Sequence, residues 1–123
     1  EKLTSNAVDG EFIQRGLNAA EKNIGNAEFD TEHLAQELFV SRRQLHRKIQ
    51  AITGQGPGEF IRVFRLKKAA LMLIEKKLNV TQIALEVGFE SPAQFTRAFK
   101  KHFNCLPSDF NQNIRHQTGT ALQ

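Results

Sequence analysis

The sequence has few residues of the kinds that form disulfides, metal sites and catalytic clusters. Cys105 is the only cysteine among 123 residues, so the chain can form neither an internal disulfide nor a thiolate cluster for zinc, and a lone thiol suits a reducing cytoplasm. The four histidines, at 33, 46, 102 and 116, do not have the spacing of a zinc motif. No nucleophile with a neighbouring base and no pair of carboxylates stands out. These absences predict a protein without metal, cofactor or catalytic activity.

Long apolar runs are also absent, as are tryptophan and tyrosine. A membrane-spanning helix needs roughly 20 consecutive apolar residues, so we expect no membrane contact by this chain. The first residues, EKLTSNAVDG, have neither an initiator methionine nor the pattern of a signal peptide. We therefore interpret the chain as a cytoplasmic fragment of a longer protein. Phenylalanine is the only one of the residues Phe, Trp and Tyr that the sequence contains, and its positions fall on the inward stripes of the predicted helices. Recognition of single-stranded nucleic acid by base stacking is therefore disfavoured.

Charge is distributed unevenly along the chain. Residues 1–37 contain eight acids and three cations, whereas the remainder contains five acids and fourteen cations. Within the stretch SRRQLHRKIQ at 41–50 there are four permanent cations and no acid. Such a balance points to a polyanionic partner, either nucleic acid or an anionic surface.

Hydrophobic periodicity predicts an all-α fold. We expect an amphipathic lead-in helix at 9–23, with Phe12, Ile13, Leu17 and Ala20 on one stripe, and a final helical turn near 107–111. Between them, the predicted helices are about 30–38, 41–53, 57–77, 80–87 and 92–103. The predicted domains are a lead-in segment at 1–28, helix-turn-helix subdomains at 29–56 and 79–111, a connecting helix at 57–78, and a disordered tail at 112–123.

The second pair of helices repeats the first. Residues 34–49 align with residues 83–99, so that Ser41, Gln44 and Arg47 correspond to Ser91, Gln94 and Arg97. Pro57 and Phe60 likewise recur as Pro107 and Phe110. The repeated unit is a short helix, a tight turn and a longer helix, which is the geometry of a helix-turn-helix. Each longer helix opens with S-x-x-Q, the pattern of a capping box.

Each longer helix carries an outward stripe without acids. At 100° per residue the stripes lie opposite Leu45 and Ile49 in the first helix and opposite Phe95 and Phe99 in the second. The stripes comprise Arg43, His46, Arg47 and Gln50, and Ala93, Thr96, Arg97 and Lys100. A phosphate backbone would supply the missing negative charge. The connecting helix of about 27 Å approaches one turn of B-DNA, about 34 Å, so we expect two reading helices in successive major grooves.

Two segments carry a family resemblance. HLAQELFVSRRQLHRKIQAITGQGPGEFIRVFRLKKAALML and VTQIALEVGFESPAQFTRAFKKHFNCLPSDF resemble the AraC/XylS family of bacterial transcription regulators over about residues 30–111. The resemblance implies sequence-specific binding of double-stranded DNA by the output module of a regulator. The lead-in helix is similar to the one that precedes this domain in response regulators and hybrid sensor kinases. It implies an upstream sensor or receiver region; RNA polymerase, and dimerisation through regions outside this sequence, are further candidates.

Two sets of contact residues are predicted: base-reading residues, most of them the family's base contacts carried onto this sequence, and phosphate-contacting residues, most of them cations beside the two stripes and at the start of the connecting helix. The base-reading set is Arg43, His46, Arg47, Gln50, Ala93, Gln94, Thr96 and Arg97. The phosphate-contacting set is Ser41, Arg42, Lys48, Arg65, Lys67, Lys68, Ser91, Lys100 and Lys101. Arginine is suited to guanine, because its guanidinium can bind O6 and N7 together. Arg62 lies in the same basic run as Arg65, some of whose cations are expected to reach the phosphates between the grooves. In the first turn Phe39 stands where the family commonly has glycine. Either Phe39 is left-handed, at roughly 1–2 kcal/mol, or the turn has another shape and tilts the reading helix.

Several alternatives remain open on the sequence. Gln44 and Gln94 could read adenine or complete the capping box, and His46 could contact a base, a phosphate or only solvent. His102 and seven phenylalanines, at 60, 64, 89, 95, 99, 103 and 110, are expected in the core. A rival function is a helical module that docks onto an acidic protein. An enzyme domain is another, and a deep pocket lined by His46 and Glu37 would favour it.

Overall fold

The computed structural model describes residues 2–110, with side chains from residue 7 onward, so the predicted tail at 112–123 lies outside the described residues. Within residues 2–110 there are helices and no strand, which confirms the all-α prediction. A short 3-10 turn at Pro107–Asp109 follows the last α-helix. The α-helices are α1 (Lys2–Lys22), α2 (Thr31–Glu37), α3 (Arg42–Thr53), α4 (Pro57–Glu75), α5 (Val80–Glu86) and α6 (Pro92–Phe103).

The predicted helix boundaries hold closely except at two ends. Helix α1 begins at Lys2 rather than at residue 9, because nothing between these positions forbids a helix. Helix α4 ends at Glu75 rather than at residue 77, because Lys76 adopts a left-handed φ of 61° and ends the run of helical residues. No helix in the described part of the chain is both long enough and apolar enough to cross a membrane.

Caps define where the two longer helices of the repeat begin and end. The Ser41 side chain accepts from the Gln44 N–H and the Gln44 side chain accepts from the Ser41 N–H, which completes a capping box. Helix α6 has only the first of these two bonds, from the Gln94 N–H to Ser91. Both helices stop at a left-handed residue, Gly54 in α3 and the matching Asn104 in α6.

The two turns differ at one matching position. Phe39 has a φ of 57° and Gly88 a φ of 90°, so both residues are left-handed. The first of the two alternatives for Phe39 is therefore the correct one, and the turn keeps its shape at roughly 1–2 kcal/mol of backbone strain. The Phe39 side chain is 89% exposed, so packing does not offset that strain.

The chain divides into two compact units, Glu1–Phe64 and Arg65–Gln123, and the division falls inside α4. In the first unit Leu34, Leu45 and Ile49 are fully buried, with Phe12 of α1 and Phe60 of α4 in the same cluster. The second unit buries the matching positions, which are Ile83, Val87, Phe95, Phe99 and Phe110. The inward stripes that the repeat predicts are therefore the core faces of α3 and α6.

Aromatic rings fill much of the second core. Phe99 lies 5.5 Å from Phe95, 4.6 Å from Phe103 and 5.4 Å from Phe110, measured between ring centroids. All seven phenylalanines expected in the core are buried or partly buried, as predicted. The expectation for His102 is wrong. The residue is exposed, with its ring edge-to-face against Phe103, since α6 ends one residue later and no further described element covers it.

Candidate nucleic-acid interface

Helix α3 presents four of the predicted base-reading residues together on one surface. Arg43, His46, Arg47 and Gln50 line a shallow open concavity of about 650 Å³, with Ala51 at its edge. All four side chains are exposed, while Leu45 and Ile49 on the opposite side of the helix are completely buried. The apolar side of α3 holds the helix to the core and leaves this stripe turned outward.

Two side chains of α3 are already engaged in local hydrogen bonds. The Gln44 carboxamide oxygen accepts from the Ser41 N–H at 3.0 Å, so the capping role of Gln44 is the one that the structure supports. Gln50 Nε2 donates to the Gly54 carbonyl oxygen at 3.1 Å, at the end of the helix. Reading a base with Gln50 would therefore require this bond to break. Arg43, His46 and Arg47 form no such bond among the described residues.

Helix α6 repeats the stripe with different chemistry. Ala93, Gln94 and Arg97 are exposed and Thr96 is partly buried. Unlike Gln44, the Gln94 side chain forms no hydrogen bond within the described residues, which leaves its carboxamide available to a ligand. The Ser91 N–H likewise lacks the glutamine cover that the Ser41 N–H has. The Ser91 N–H at the start of α6 is therefore open to an anion, whereas the Ser41 N–H at the start of α3 is covered.

The cations of the two reading helices have no acidic partner in the described part of the chain. None of Arg42, Arg43, Arg47, Arg97, Lys100 and Lys101 forms an ion pair there, and each is exposed. Ion pairs elsewhere in the described residues include Lys22 with Glu37 and Arg62 with Glu59. Like charges left unpaired at helical spacing are slightly destabilising, so the exposed face of each of the two helices is suited to an external anion.

One predicted phosphate contact, Lys48, is placed differently from the rest. Its Nζ lies 5.2 Å from the centroid of the Phe12 ring, on α1. At 100° per residue Lys48 is roughly 150° around the helix from the centre of the outward stripe. The cation–π contact stabilises the packing of α1 on α3. Lys48 is thus turned away from the concavity, because its position on α3 borders the core side.

Arg65 corrects the prediction most clearly. Its side chain is 6% exposed, and Nη1 donates to the Val87 carbonyl oxygen at 2.7 Å. Burial lowers the pKa of Arg65 from its ordinary value. A guanidinium held in this way cannot reach a phosphate. The sequence contained the signal, because Arg65 lies four residues from both Ile61 and Ala69, on the buried stripe of α4.

The remaining predicted phosphate contacts fall in two groups. Lys67 is exposed on α4 and is well placed for an external anion, whereas Lys68 is partly buried and takes part in an interaction with a neighbour. Lys100 and Lys101 lie in the last turn of α6, where the helix dipole favours cations.

A metalloprotein or an enzyme would need side chains that converge on a metal ion or line a shared pocket. Among residues 2–110 no three acidic, histidine or cysteine side chains converge to hold a metal ion. His46 lines the concavity on α3, whereas Glu37 lines two cavities beside α1 and α2. His46 and Glu37 therefore do not line the same cavity among these three, which is what an enzyme site would have required.

Known proteins resemble this chain in sequence and in structure. A family model described as a helix-turn-helix domain matches residues 34–113. Histidine kinase P4 of Formosa agariphila is 39% identical over 116 residues, which is 94% of this chain but 8% of the kinase. The probable transcription factor PqrA of Proteus vulgaris is 42% identical over 80 residues, 65% of this chain and 66% of that protein. The chain thus spans a small part of the kinase and just under two thirds of the transcription factor.

A solved structure agrees with these matches. The crystal structure of an AraC-type transcriptional regulator from Chromobacterium violaceum has a TM-score of 0.76 and 29% identity, covering 86% of this chain and 94% of that one. The six α-helices within residues 2–110, their paired turns and the match over most of the repeat lead to one conclusion. The chain belongs to the AraC-type helix-turn-helix family, whose members bind DNA and regulate transcription.

Proposed function

We propose that this chain binds double-stranded DNA at a specific sequence, with α3 and α6 in successive major grooves, as the output module of a bacterial transcription regulator. The observation that carries the proposal is the convergence of Arg43, His46 and Arg47 on one exposed, acid-free concavity of α3. Helix α6 offers the corresponding Arg97, with Gln94 beside it, on a second acid-free surface.

The reading chemistry is assigned residue by residue. Arg43, Arg47 and Arg97 are proposed to bind guanine O6 and N7 in bidentate fashion, and Gln94 to bind adenine N6 and N7. Ala93 and the Thr96 methyl group would contact thymine methyl groups. The exposed Lys67, Lys100, Lys101 and Arg42 are proposed to bind phosphates and so to set orientation rather than sequence preference.

The first experiment identifies the site. Duplexes bound from a random library are sequenced, and the proposal predicts two conserved half-sites whose centres are about 10–10.5 base pairs apart. Inserting five base pairs between the halves should turn one of them to the opposite face of the duplex and abolish the gain from having both. Recovery of a single uninterrupted site, insensitive to such insertions, would overturn the proposal of two reading helices.

The division between reading and anchoring is tested by two cationic residues. Arg47→Ala should weaken binding to the selected site by about 1–3 kcal/mol and relax the preference at one base pair. Lys67→Ala should weaken binding to all sequences alike and reduce the salt slope by about one. If the two variants behave identically, these roles are wrongly assigned.

A helical module that docks onto an acidic protein is the alternative that the basic surfaces also allow. Titrating a duplex across a salt series separates the two functions. DNA binding requires log K to fall with log salt by about 0.9 for each phosphate neutralised. Equal and weak affinity for duplexes of every sequence would favour the protein-docking alternative.

The parent protein's other properties are proposed with the same function. We propose that the chain is not catalytic and acts in the cytoplasm, downstream of a sensor or receiver region. The match to a short part of a much longer histidine kinase supports that upstream partner. Contacts with RNA polymerase, and dimerisation through regions outside this sequence, are further proposals that follow from a role in transcription.

A further inference from the structure

An arginine from the preceding long helix contacts each helix-turn-helix at the same place. Arg15 Nη2 of α1 donates to the Leu38 carbonyl oxygen at 3.1 Å, and Arg65 Nη1 of α4 donates to the Val87 carbonyl oxygen at 2.7 Å. Leu38 is the C-cap of α2 and Val87 is the C-cap of α5. Since Leu38 and Val87 correspond in the repeat, the two arginines occupy equivalent positions in their own units.

The sequence around the two arginines is also repeated. RGLNAA at 15–20 matches RLKKAA at 65–70, and both alanine pairs are buried. The repeat therefore includes three helices in each copy, α1–α2–α3 and α4–α5–α6, rather than two. Helix α1 is the counterpart of α4, not merely a lead-in segment.

The bonded carbonyl belongs to the peptide that enters the left-handed residue, where the chain turns toward the next helix. Leu38 and Val87 are each followed at once by the left-handed residue of the turn, Phe39 or Gly88. Holding the carbonyl fixes the orientation of the peptide plane that enters this residue, since each peptide unit is rigid. The cap of the following helix comes two residues after Phe39 in the first unit (Ser41) and three residues after Gly88 in the second (Ser91).

We propose that Arg15 and Arg65 are positioning residues for DNA recognition, each setting the angle at which the following reading helix leaves its turn. This inference rests on the proposed function, because an angle matters to base contacts only if α3 and α6 read bases. Arg15 would act through α3 on one half-site, and Arg65 through α6 on the other. Neither arginine would contact DNA itself.

The two positioning residues differ in their surroundings. Arg15 is exposed, beside a cavity of about 210 Å³, whereas Arg65 is buried. Water can replace the Arg15 bond in a variant, but it cannot easily reach the Val87 carbonyl oxygen. Arg15 variants should therefore fold normally and report on recognition alone, which makes them the principal test.

The test uses the selected duplex and single-base changes in either half. Base pairs whose preference is relaxed by Arg47→Ala define the half read by α3, and those relaxed by Arg97→Ala define the half read by α6. Arg15→Ala should reduce discrimination in the α3 half from about tenfold to about threefold per base pair, and leave the α6 half within twofold of wild type. Arg15→Lys, which keeps one donor, should restore part of the loss.

Lys22→Ala is the matched control for this test. Lys22 lies on the same helix, carries the same charge and pairs with Glu37 of α2, but does not contact the turn carbonyl. It should lower affinity for all duplexes slightly and leave discrimination unchanged. If Arg15→Ala behaves like Lys22→Ala, the positioning inference is overturned while the proposed function stands.

Arg65 provides the second arm, with a conservative variant in case alanine prevents folding. Arg65→Lys should relax the α6 half and spare the α3 half, and amide hydrogen exchange at Gly88 and Phe89 should accelerate. Unchanged exchange and unchanged discrimination would contradict the inference for the second unit. If the wild-type chain itself shows no sequence preference, the proposed function fails, and the positioning role fails with it.

Discussion

The two helix-turn-helix units share one plan, but the contacts at their turns differ in burial, in hydrogen-bond distance and in the residue at the left-handed position. In the second unit a buried arginine bonds the turn carbonyl at 2.7 Å and glycine occupies the left-handed position. In the first unit the arginine is exposed, the distance is 3.1 Å and Phe39 occupies the strained position. The comparison teaches that a repeated fold can hold two equivalent helices, α3 and α6, through contacts of unequal burial.

The exposed surfaces of α3 and α6 also differ in the side chains that they present. Helix α3, whose turn is contacted by an exposed arginine, presents two arginines and a histidine in one concavity. Helix α6, whose turn is contacted by a buried arginine, presents one arginine with an alanine, a glutamine and a partly buried threonine. The unit with the more exposed support thus presents more of the arginines suited to guanine. We expect most base preference to come from the half-site that α3 reads.

The largest expected effect is a difference in stability between alanine variants of the two positioning arginines. Arg65→Ala leaves a buried carbonyl without its charged donor and should lower the free energy of unfolding by roughly 2–3 kcal/mol. Arg15→Ala removes an exposed contact and should lower it by roughly 0.5 kcal/mol or less. Urea titration followed by circular dichroism measures both. Equal losses would show that the two supports do not differ as their burial indicates.

Exchanging the left-handed residues should change stability in opposite directions. Phe39→Gly removes the strain and should stabilise the chain by about 1 kcal/mol. Gly88→Ala introduces strain at a φ of 90° and should destabilise it by about 1–2 kcal/mol. Thermal unfolding monitors both variants. A destabilised Phe39→Gly variant would mean that the exposed ring makes a stabilising contact in solution.

Removing the two serine caps should cost nearly the same stability in both units. Ser41→Ala and Ser91→Ala each remove one side-chain bond to an N3 amide and should each cost about 1 kcal/mol. Ser91→Ala should be the milder of the two, because Pro92 at N1 still favours the start of α6. Unfolding titrations of the two variants, compared with the matching threonine variants as controls, decide the order.

The smallest expected change in stability distinguishes the two glutamines. Gln44→Ala breaks the capping box and should cost a few tenths of a kcal/mol without altering base preference. Gln94→Ala should leave stability unchanged and relax the preference for adenine at one base pair. Unfolding and competition binding on both variants give the answer. Relaxed preference in Gln44→Ala would add that residue to the base-reading set.

Much of this fold could be predicted from the sequence, because the repeat matches residue types at positions whose roles are local. Serine before a helix, proline at its first position, and leucine or phenylalanine every fourth residue each have a structural reason that needs no tertiary information. Those positions have the predicted roles in the structure. The outward stripes follow from them, since an inward side chosen correctly defines the opposite side as well.

The errors arose where a tertiary contact decides the role of a polar residue. The basic run at the start of α4 favours a surface position for Arg65, but the buried stripe on which Arg65 lies decides its role. Gln44 and Gln94 share one motif, but only Gln44 completes the box. The difference accompanies the backbone of the preceding serine, at a φ of −74° for Ser41 and −147° for Ser91, which aims the N–H differently.

Helix α4 serves both units and so limits how the chain can be cut. Its first half supplies Phe60, which packs 3.5 Å from the position where a Gly16 side chain would begin, and its second half supplies Arg65. A boundary between Phe64 and Arg65 would leave Phe60 in the last turn of one fragment and Arg65 at the first residue of the other, where helix ends fray. Fragments made for separate expression should therefore overlap, each retaining the whole of Pro57–Glu75.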